Sequence, residues 1–276
     1  MPKVWFVTGS SRGLGRAIVE TALEAGDQVV ATARESARLD DLVARHGDRI
    51  LPLTLDVTSD DDVRSAVREG LEAFGRYDVV VNNAGYGDIA SVEDVTLDAF
   101  RAQIDTNFYG VVQVTKAVLP ALRLQGFGHI FQVSSVGGRV GSAGLSAYQS
   151  AKWAVGGFST VLAQEVAPLG IKVTVLEPGG MRTDWAGSSM TIPPVSEPYQ
   201  QTVGTFADMI RGSSTSNSAE SDPVKVAHVV HDLAGRQDAP VRIVLGAQAY
   251  EIAQAASRAI TESDEKWREV SESVSD

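Results

Sequence analysis

The sequence predicts an α/β fold: a doubly wound, seven-stranded parallel sheet with helices on both faces. Two observations predict it. Strand-like and helix-like segments alternate from Lys3 to about Gly246 without a linker-like break. Repeated strand–helix–strand units of this kind make a parallel sheet. The first strand-like run also ends in a glycine-rich loop, Thr8 to Gly15, and ligands of such sheets bind at the carboxyl ends of the strands.

Val4 to Val7 is a short apolar run, as a strand buried on both faces requires. Arg16 to Ala25 has a helical pattern, and Gly26 stops it. Val29 to Thr32 is the second strand, Leu39 to Arg45 suits a helix, and Ile50 to Leu55 is the third strand. Ser59 can cap the next helix, with Asp60, Asp61 and Asp62 in its first turn, where the helix dipole favours carboxylates. That acidic run therefore reads as structural. Val79 to Val81 is the fourth strand and runs into Asn82-Asn83-Ala84-Gly85. A long helix covers Leu97 to Leu124, with Pro120 bending or ending part of it. His129 to Ser134, Ile171 to Leu176 and Val241 to Leu245 complete the strands, and Ala147 to Leu169 is a helix. Ala186 to Ser221 is rich in Ser, Gly, Thr and Pro and reads as a long substrate loop. Ala247 to Ile260 looks helical, and the charged tail from Thr261 reads as frayed or packed on a partner subunit. The chain of 276 residues is read as a single domain.

Composition narrows the function classes. The chain has no cysteine, which excludes disulfides and cysteine-based metal or nucleophile sites and fits a reducing, cytoplasmic setting. The N-terminus shows no charged-then-apolar leader, and no apolar run is long enough to span a bilayer. A net charge of −11 argues against a nucleic-acid-binding face. His228 and His231 share a helix face, but no third ligand accompanies them, so no metal site is expected.

Three motifs carry chemistry. In Thr8-Gly9-Ser10-Ser11-Arg12-Gly13-Leu14-Gly15 the glycines allow a tight turn and close approach to a diphosphate, which the following helix meets with free N–H groups. Gly9, Ser11, Arg12, Gly13, Leu14 and Gly15 are the candidate contacts. Arg34 follows the second strand, where a carboxylate would select NAD. With Arg12 it can pair with a 2′-phosphate, which favours NADP(H), although Glu35 stands beside it. Tyr148 and Lys152, at i and i+4, share a helix face. An ammonium favours the phenolate of a neighbouring phenol and lowers its pKa, so that the phenol could exchange a proton with a substrate oxygen. Together these motifs describe hydride transfer between a nicotinamide and a carbonyl or alcohol.

The motifs, in this order and at these distances, resemble the short-chain dehydrogenase/reductase family in its short-subunit form, over roughly Lys3 to Gly246. Asp56-Val57, Asn82-Asn83-Ala84-Gly85, Asn107, Ser135 and Pro178-Gly179 with Thr183 belong to the same pattern. The resemblance implies a Rossmann-type fold and assigns roles. Asp56 and Val57 would sit at the adenine, and Asn83, Ala84 and Gly85 would line the cofactor. Asn107 would hold a water in a proton relay behind Lys152, which would also bind the nicotinamide ribose. Ser135, in preference to Ser134, would hydrogen-bond the substrate oxygen. Pro178, Gly179, Met181 and Thr183 would wrap the nicotinamide. Gly141-Ser142-Ala143-Gly144 lacks a Pro-Gly common in the family, which alters the pocket wall. Met181-Arg182-Thr183-Asp184-Trp185 is similar to a hydroxysteroid and retinol reductase subset. It points to a bulky, apolar substrate lined by Val140, Met181 and Trp185, alongside Ser135 and Tyr148. The family also implies a homo-oligomer, dimer or tetramer. Two rival readings stand beside the NADP(H)-dependent oxidoreductase: an epimerase or dehydratase of the related extended type, and a non-catalytic NADPH-binding regulator.

Overall fold

The computed structural model describes residues 2–183, 190–212 and 221–275. Its strands are β1 (Val4–Val7), β2 (Gln28–Ala33), β3 (Ile50–Thr54), β4 (Val79–Asn82), β5 (Gly128–Val133), β6 (Ile171–Pro178) and β7 (Arg242–Leu245). They form one parallel sheet in the order β3-β2-β1-β4-β5-β6-β7. The order reverses between β1 and β4, which opens a crevice at their carboxyl ends.

The helices are α1 (Gly13–Glu24), α2 (Asp40–His46), α3 (Asp60–Phe74), α4 (Leu97–Ile104), α5 (Gly110–Gln125), α6 (Ser146–Val166), α7 (Thr205–Gly212), α8 (Pro223–Gly235), α9 (Ala247–Lys266) and α10 (Arg268–Glu272). Alternate strand residues feed the two faces, as a pleated strand requires. Trp5 and Val7 pack in the layer with α1, α2 and α8. Val4 and Phe6 pack in the layer with α3, α5 and α6. Each large side chain buried this way contributes about 1.5–3 kcal/mol. Ser59 caps α3 by accepting from the Asp62 N–H at 3.2 Å.

Three expectations are corrected. The stretch from Leu97 is two helices joined by a π-turn, Asp105–Tyr109. Pro120 does not end it: the helix runs to Gln125, because Pro120 and Lys116 are exposed and water can satisfy the carbonyl that the proline leaves unpaired. The expected loop at 186–221 contains a 3₁₀ turn (Glu197–Tyr199), a π-turn (Gln200–Gly204) and α7. Val203, Phe206, Ala207 and Ile210 recur at i, i+3, i+4 and i+7, a helical signature that the surrounding Pro and Gly obscured. They pack with Ile89 and Leu145 as a small separate core. The tail from Thr261 is helical through Lys266 and again over Arg268–Glu272, not frayed.

Candidate active site

The glycine loop is shaped by what it must not carry. Gly9 has φ +69°, and a side chain there would meet the Ala84 Cα at 2.9 Å. A side chain on Gly15 would strike the Gly9 carbonyl and the Asn83 amide. The Asn83 amide donates to the Thr8 and Gly9 carbonyls at 3.0 and 3.1 Å. Thr8 Oγ1 accepts from the Asn83 and Ala84 N–H groups, both at 3.0 Å. Thr8 and Asn83 thus stitch the end of β1 to the end of β4, across the crevice. Arg12 precedes α1 with extended backbone and no side-chain cap, so Arg12 does not satisfy the N–H groups that every helix start leaves without an intrahelical partner. Ser11 is half-buried and Leu14 buried in this loop.

Arg34 is exposed after β2, as is Arg12 in the loop. The neighbouring Glu35 is held by Arg38 at 2.8 Å. Asp56 is exposed and accepts from the Thr58 N–H at 2.9 Å and the Thr58 hydroxyl at 2.7 Å. Val57 is buried, close against Gly110 of α5.

Tyr148 and Lys152 lie on the first turns of α6, both buried. The Ser135 hydroxyl lies close enough to that of Tyr148 to oppose the rise of its pKa. Ser135 Oγ also accepts from the Gly137 N–H at 3.0 Å, which fixes its direction. Ser134 is turned away, its hydroxyl donating to the Lys152 carbonyl at 3.0 Å. Lys152 Nζ donates to the Val133 carbonyl at 2.9 Å and stands 5.6 Å from the Tyr148 ring centre. Burial pushes Tyr148 up to about 12 against the opposing Ser135 hydroxyl, and pushes Lys152 down to about 8. The phenol is therefore raised and not lowered as expected, with desolvation the largest cause.

Asn107 sits fully buried in the π-turn, an irregularity found often at functional sites. Its amide donates to the Gln103 and Tyr86 carbonyls at 2.9 and 2.8 Å, and Oδ1 accepts from the Tyr86 N–H at 3.2 Å. Both donors are thus occupied, so a water beside it would use the second lone pair of Oδ1. A side chain on Gly85 would meet Asn107 Oδ1 at 2.5 Å and Lys152 Nζ at 3.4 Å, which places Gly85, Asn107 and Lys152 around one point.

At the end of β6, Pro178 is buried and the Gly179 N–H donates to the Leu245 carbonyl at 3.1 Å. Thr183 lies 3.5 Å from where a Gly13 side chain would begin, so this turn closes over the glycine loop. Met181 bridges to Ser221 and packs against the core layer of α1 and α8. Val140 is half-buried. Trp185 lies outside the described residues. Sequence reasoning left out Thr8 as a site residue, although it stands at the strand end beside Gly9. It also missed Gln149, whose side chain accepts from the Ser142 N–H at 2.7 Å and donates to its hydroxyl at 3.3 Å. Among the described residues no helix is long and apolar enough to cross a membrane. His231 stacks on Trp5 and approaches Asp27 at 3.2 Å, a packing role.

A parallel sheet with a bare glycine turn at its switch point and a Ser–Tyr–Lys cluster beside it defines a nucleotide-binding oxidoreductase. Residues 3–191 match the family described as short chain dehydrogenase, and the chain belongs to that family. It is 60% identical over 272 residues to Oxidoreductase BOA17 of Botryotinia fuckeliana, covering 98% of each chain. A short-chain dehydrogenase structure from Streptomyces avermitilis superposes with a TM-score of 0.92 at 35% identity, covering 100% of this chain and 98% of that one. An alcohol dehydrogenase from Thermococcus sibiricus, solved with 5-hydroxy-NADP, superposes with a TM-score of 0.72 at 26% identity, covering 89% and 97%.

Proposed function

We propose that the protein is an NADP(H)-dependent reductase of ketones, running in reverse as a secondary-alcohol dehydrogenase. The observation that carries this reading is the half-buried Ser135 hydroxyl next to the buried Tyr148 and Lys152. The nucleotide fits the residues present: Gly9 and Gly15 let the loop fold tightly against Ala84 and Asn83 where side chains would clash, and α1 begins without a side-chain cap.

Gly9, Ser11, Arg12, Gly13, Leu14 and Gly15 would hold the diphosphate at the positive end of α1. Arg34 and Arg12 would take the 2′-phosphate, since Arg38 already neutralises Glu35. Asp56 and Val57 would border the adenine, and Asn83, Ala84 and Gly85 the middle of the cofactor. Lys152 and Tyr148 would bind the ribose, with Pro178, Gly179, Met181 and Thr183 around the ring. The bound nicotinamide supplies the hydride. Ser135 donates a hydrogen bond to the substrate oxygen, which stabilises charge as it develops. Tyr148, protonated at neutral pH, gives that oxygen its proton. Lys152 and Asn107 return a proton through a water held at Oδ1.

A bulky, apolar substrate is supported by the apolar cover of Val203, Phe206 and Ala207 on Ile89 and Leu145, three residues before Tyr148. Val140 and Trp185 remain proposed wall residues, and Met181 serves from beneath. A cytoplasmic location agrees with the absence of cysteine.

The test is Tyr148→Phe, assayed with NADPH and a panel of ketones. Turnover is expected to fall at least 10³-fold, within reach of losing a general acid, while NADPH fluorescence binding stays within about twofold. An active Tyr148→Phe enzyme would refute the assignment.

A further inference from the structure

Glu177 is a carboxylate with no exposed surface, near the end of β6 and next to Pro178. It grips two guanidinium groups from separate elements. Arg242, the first residue of β7, donates through Nε to Oε1 at 2.9 Å and through Nη2 to the same oxygen. Arg139 Nη2 forms an ion pair with Oε2, although neither Oε2 nor Arg139 Nε makes a hydrogen bond among the described residues. Arg139 ends the 3₁₀ turn (Val136–Gly138) that begins at Ser135.

A buried carboxylate between two arginines is a costly way to gain stability, because desolvation offsets much of the attraction. What it does supply is a fixed geometry. The turn it holds is short and fully bonded: the Gly138 N–H donates to the Ser135 carbonyl and the Arg139 N–H to the Val136 carbonyl, both at 2.9 Å. The Gly137 N–H, inside that turn, aims the Ser135 hydroxyl. A pull on Arg139 is therefore felt at Ser135 through four residues of rigid backbone. Arg242 anchors the carboxylate from β7, and α9 backs the site, its Ala249 close against Gly179.

We propose that Glu177, acting through Arg139, is a positioning residue that holds the Ser135 turn so that its hydroxyl meets that of Tyr148. This rests on the reading of Ser135 and Tyr148 given above. Neither Glu177 nor Arg139 touches the reacting atoms in this scheme; their effect passes through Ser135.

The experiment is a double-mutant cycle in the full-length protein, with NADPH and 1-decalone as the carbonyl probe. Arg139→Met is expected to lower kcat about tenfold or more, with NADPH affinity changed less than twofold. Arg139→Lys, which keeps a cation for Glu177, is expected to recover part of the loss. In a Ser135→Ala background, Arg139→Met is expected to cause no further fall in kcat, since its route to the reaction is already gone. A fall that multiplies with that of Ser135→Ala would overturn the proposal and leave a general packing role. The same point is read without turnover from crystal structures of the wild type and Arg139→Met: the Ser135 and Tyr148 hydroxyls are expected to lie farther apart in the variant, and an unchanged separation sinks the idea. Should Tyr148→Phe remain active, the reading of the site fails independently of this cycle.

Discussion

Burial pushes Tyr148 up to about 12 and brings Lys152 down to about 8. The pair therefore works as an acid held ready beside a cation that can lose its charge in mild alkali. Arg34 decides a different question. With Glu35 engaged by Arg38, Arg34→Asp places an unopposed carboxylate after β2 and is expected to shift the NADPH-to-NADH affinity ratio at least tenfold toward NADH, about 1.4 kcal/mol. Fluorescence titration with both nucleotides checks it, and an unchanged ratio would show that another group meets the 2′-phosphate. His129 is buried and neutral. Its Nε2 bonds Thr174 Oγ1 at 2.9 Å, and that hydroxyl donates to the Pro240 carbonyl at 2.7 Å, so Nε2 carries the proton. Burial pushes His129 down to about 3, against about 6.5 in an unfolded chain. Below pH 6.5 the unfolded chain binds a proton that the folded one refuses. Stability is thus full above that value and falls as the pH drops toward 3, by about 1.4 kcal/mol per unit and about 2 kcal/mol by pH 5. Urea unfolding at pH 7 and pH 5 measures it, and His129→Gln is expected to flatten the difference. An equal slope in both proteins would assign the acid sensitivity elsewhere.

At the scale of elements, the segment from Met190 to Gly212 is latched to the loop after β4. The Thr191 N–H donates to Asp88 at 2.8 Å, the Ser196 N–H and hydroxyl donate to Asp94 at 3.1 Å, and the Tyr199 hydroxyl donates to Glu93 at 2.7 Å. The Ser196 N–H holds the Asp94 carboxyl below its ordinary value. A carboxylate lowered in this way supports the latch above the ordinary carboxylate range and releases it as the pH falls through its own lower value. Asp94→Ala is expected to speed amide exchange across 190–204 several-fold while leaving β1–β5 protected, as hydrogen exchange with peptide-level resolution would show. Uniform exchange changes across the sheet would mean that the loop is part of the global fold and not a separately opening cover. The segment was misread because Pro193, Pro194, Pro198 and Gly204 suggested a loop, while the helical recurrence of Val203, Phe206, Ala207 and Ile210 was short. The π-turn at Asn107 was likewise invisible: no residue pattern distinguishes it from the α-helix on either side.

For the whole molecule, several large apolar side chains are exposed, some of them at or on α5 and α6. Tyr109, at the N-terminal edge of α5, is 52% exposed, Trp153 on α6 is 49% exposed and Val161 on α6 is 55% exposed. Contiguous exposed apolar groups mark contact surfaces, and we propose a homo-oligomer, dimer or tetramer. Light scattering on the purified protein is expected to give two or four times the chain mass of 29.3 kDa. A species of one chain mass at micromolar concentration would refute it. The C-terminal arm bears on the same question, since every described residue from Ser257 onward is exposed.

The sequence by itself determined the strand succession, the glycine turn and the spacing of Ser135, Tyr148 and Lys152, because these depend on local periodicity and on residue types with few substitutes. Val4–Val7 could be read as a buried strand from its apolar run, and Gly9 and Gly15 as a phosphate turn from the absence of side chains. Only the tertiary structure decided the ionisation of Tyr148, since desolvation depends on everything packed around the ring and the i, i+4 spacing reports only the nearby ammonium. It likewise decided that Ser135 faces Tyr148 while Ser134 faces the Lys152 carbonyl, that Thr8 joins β1 to β4, and that Glu177 meets Arg139 and Arg242. Each of those contacts is made between residues distant in sequence or turned by strand pleating, where local pattern carries no information about the partner.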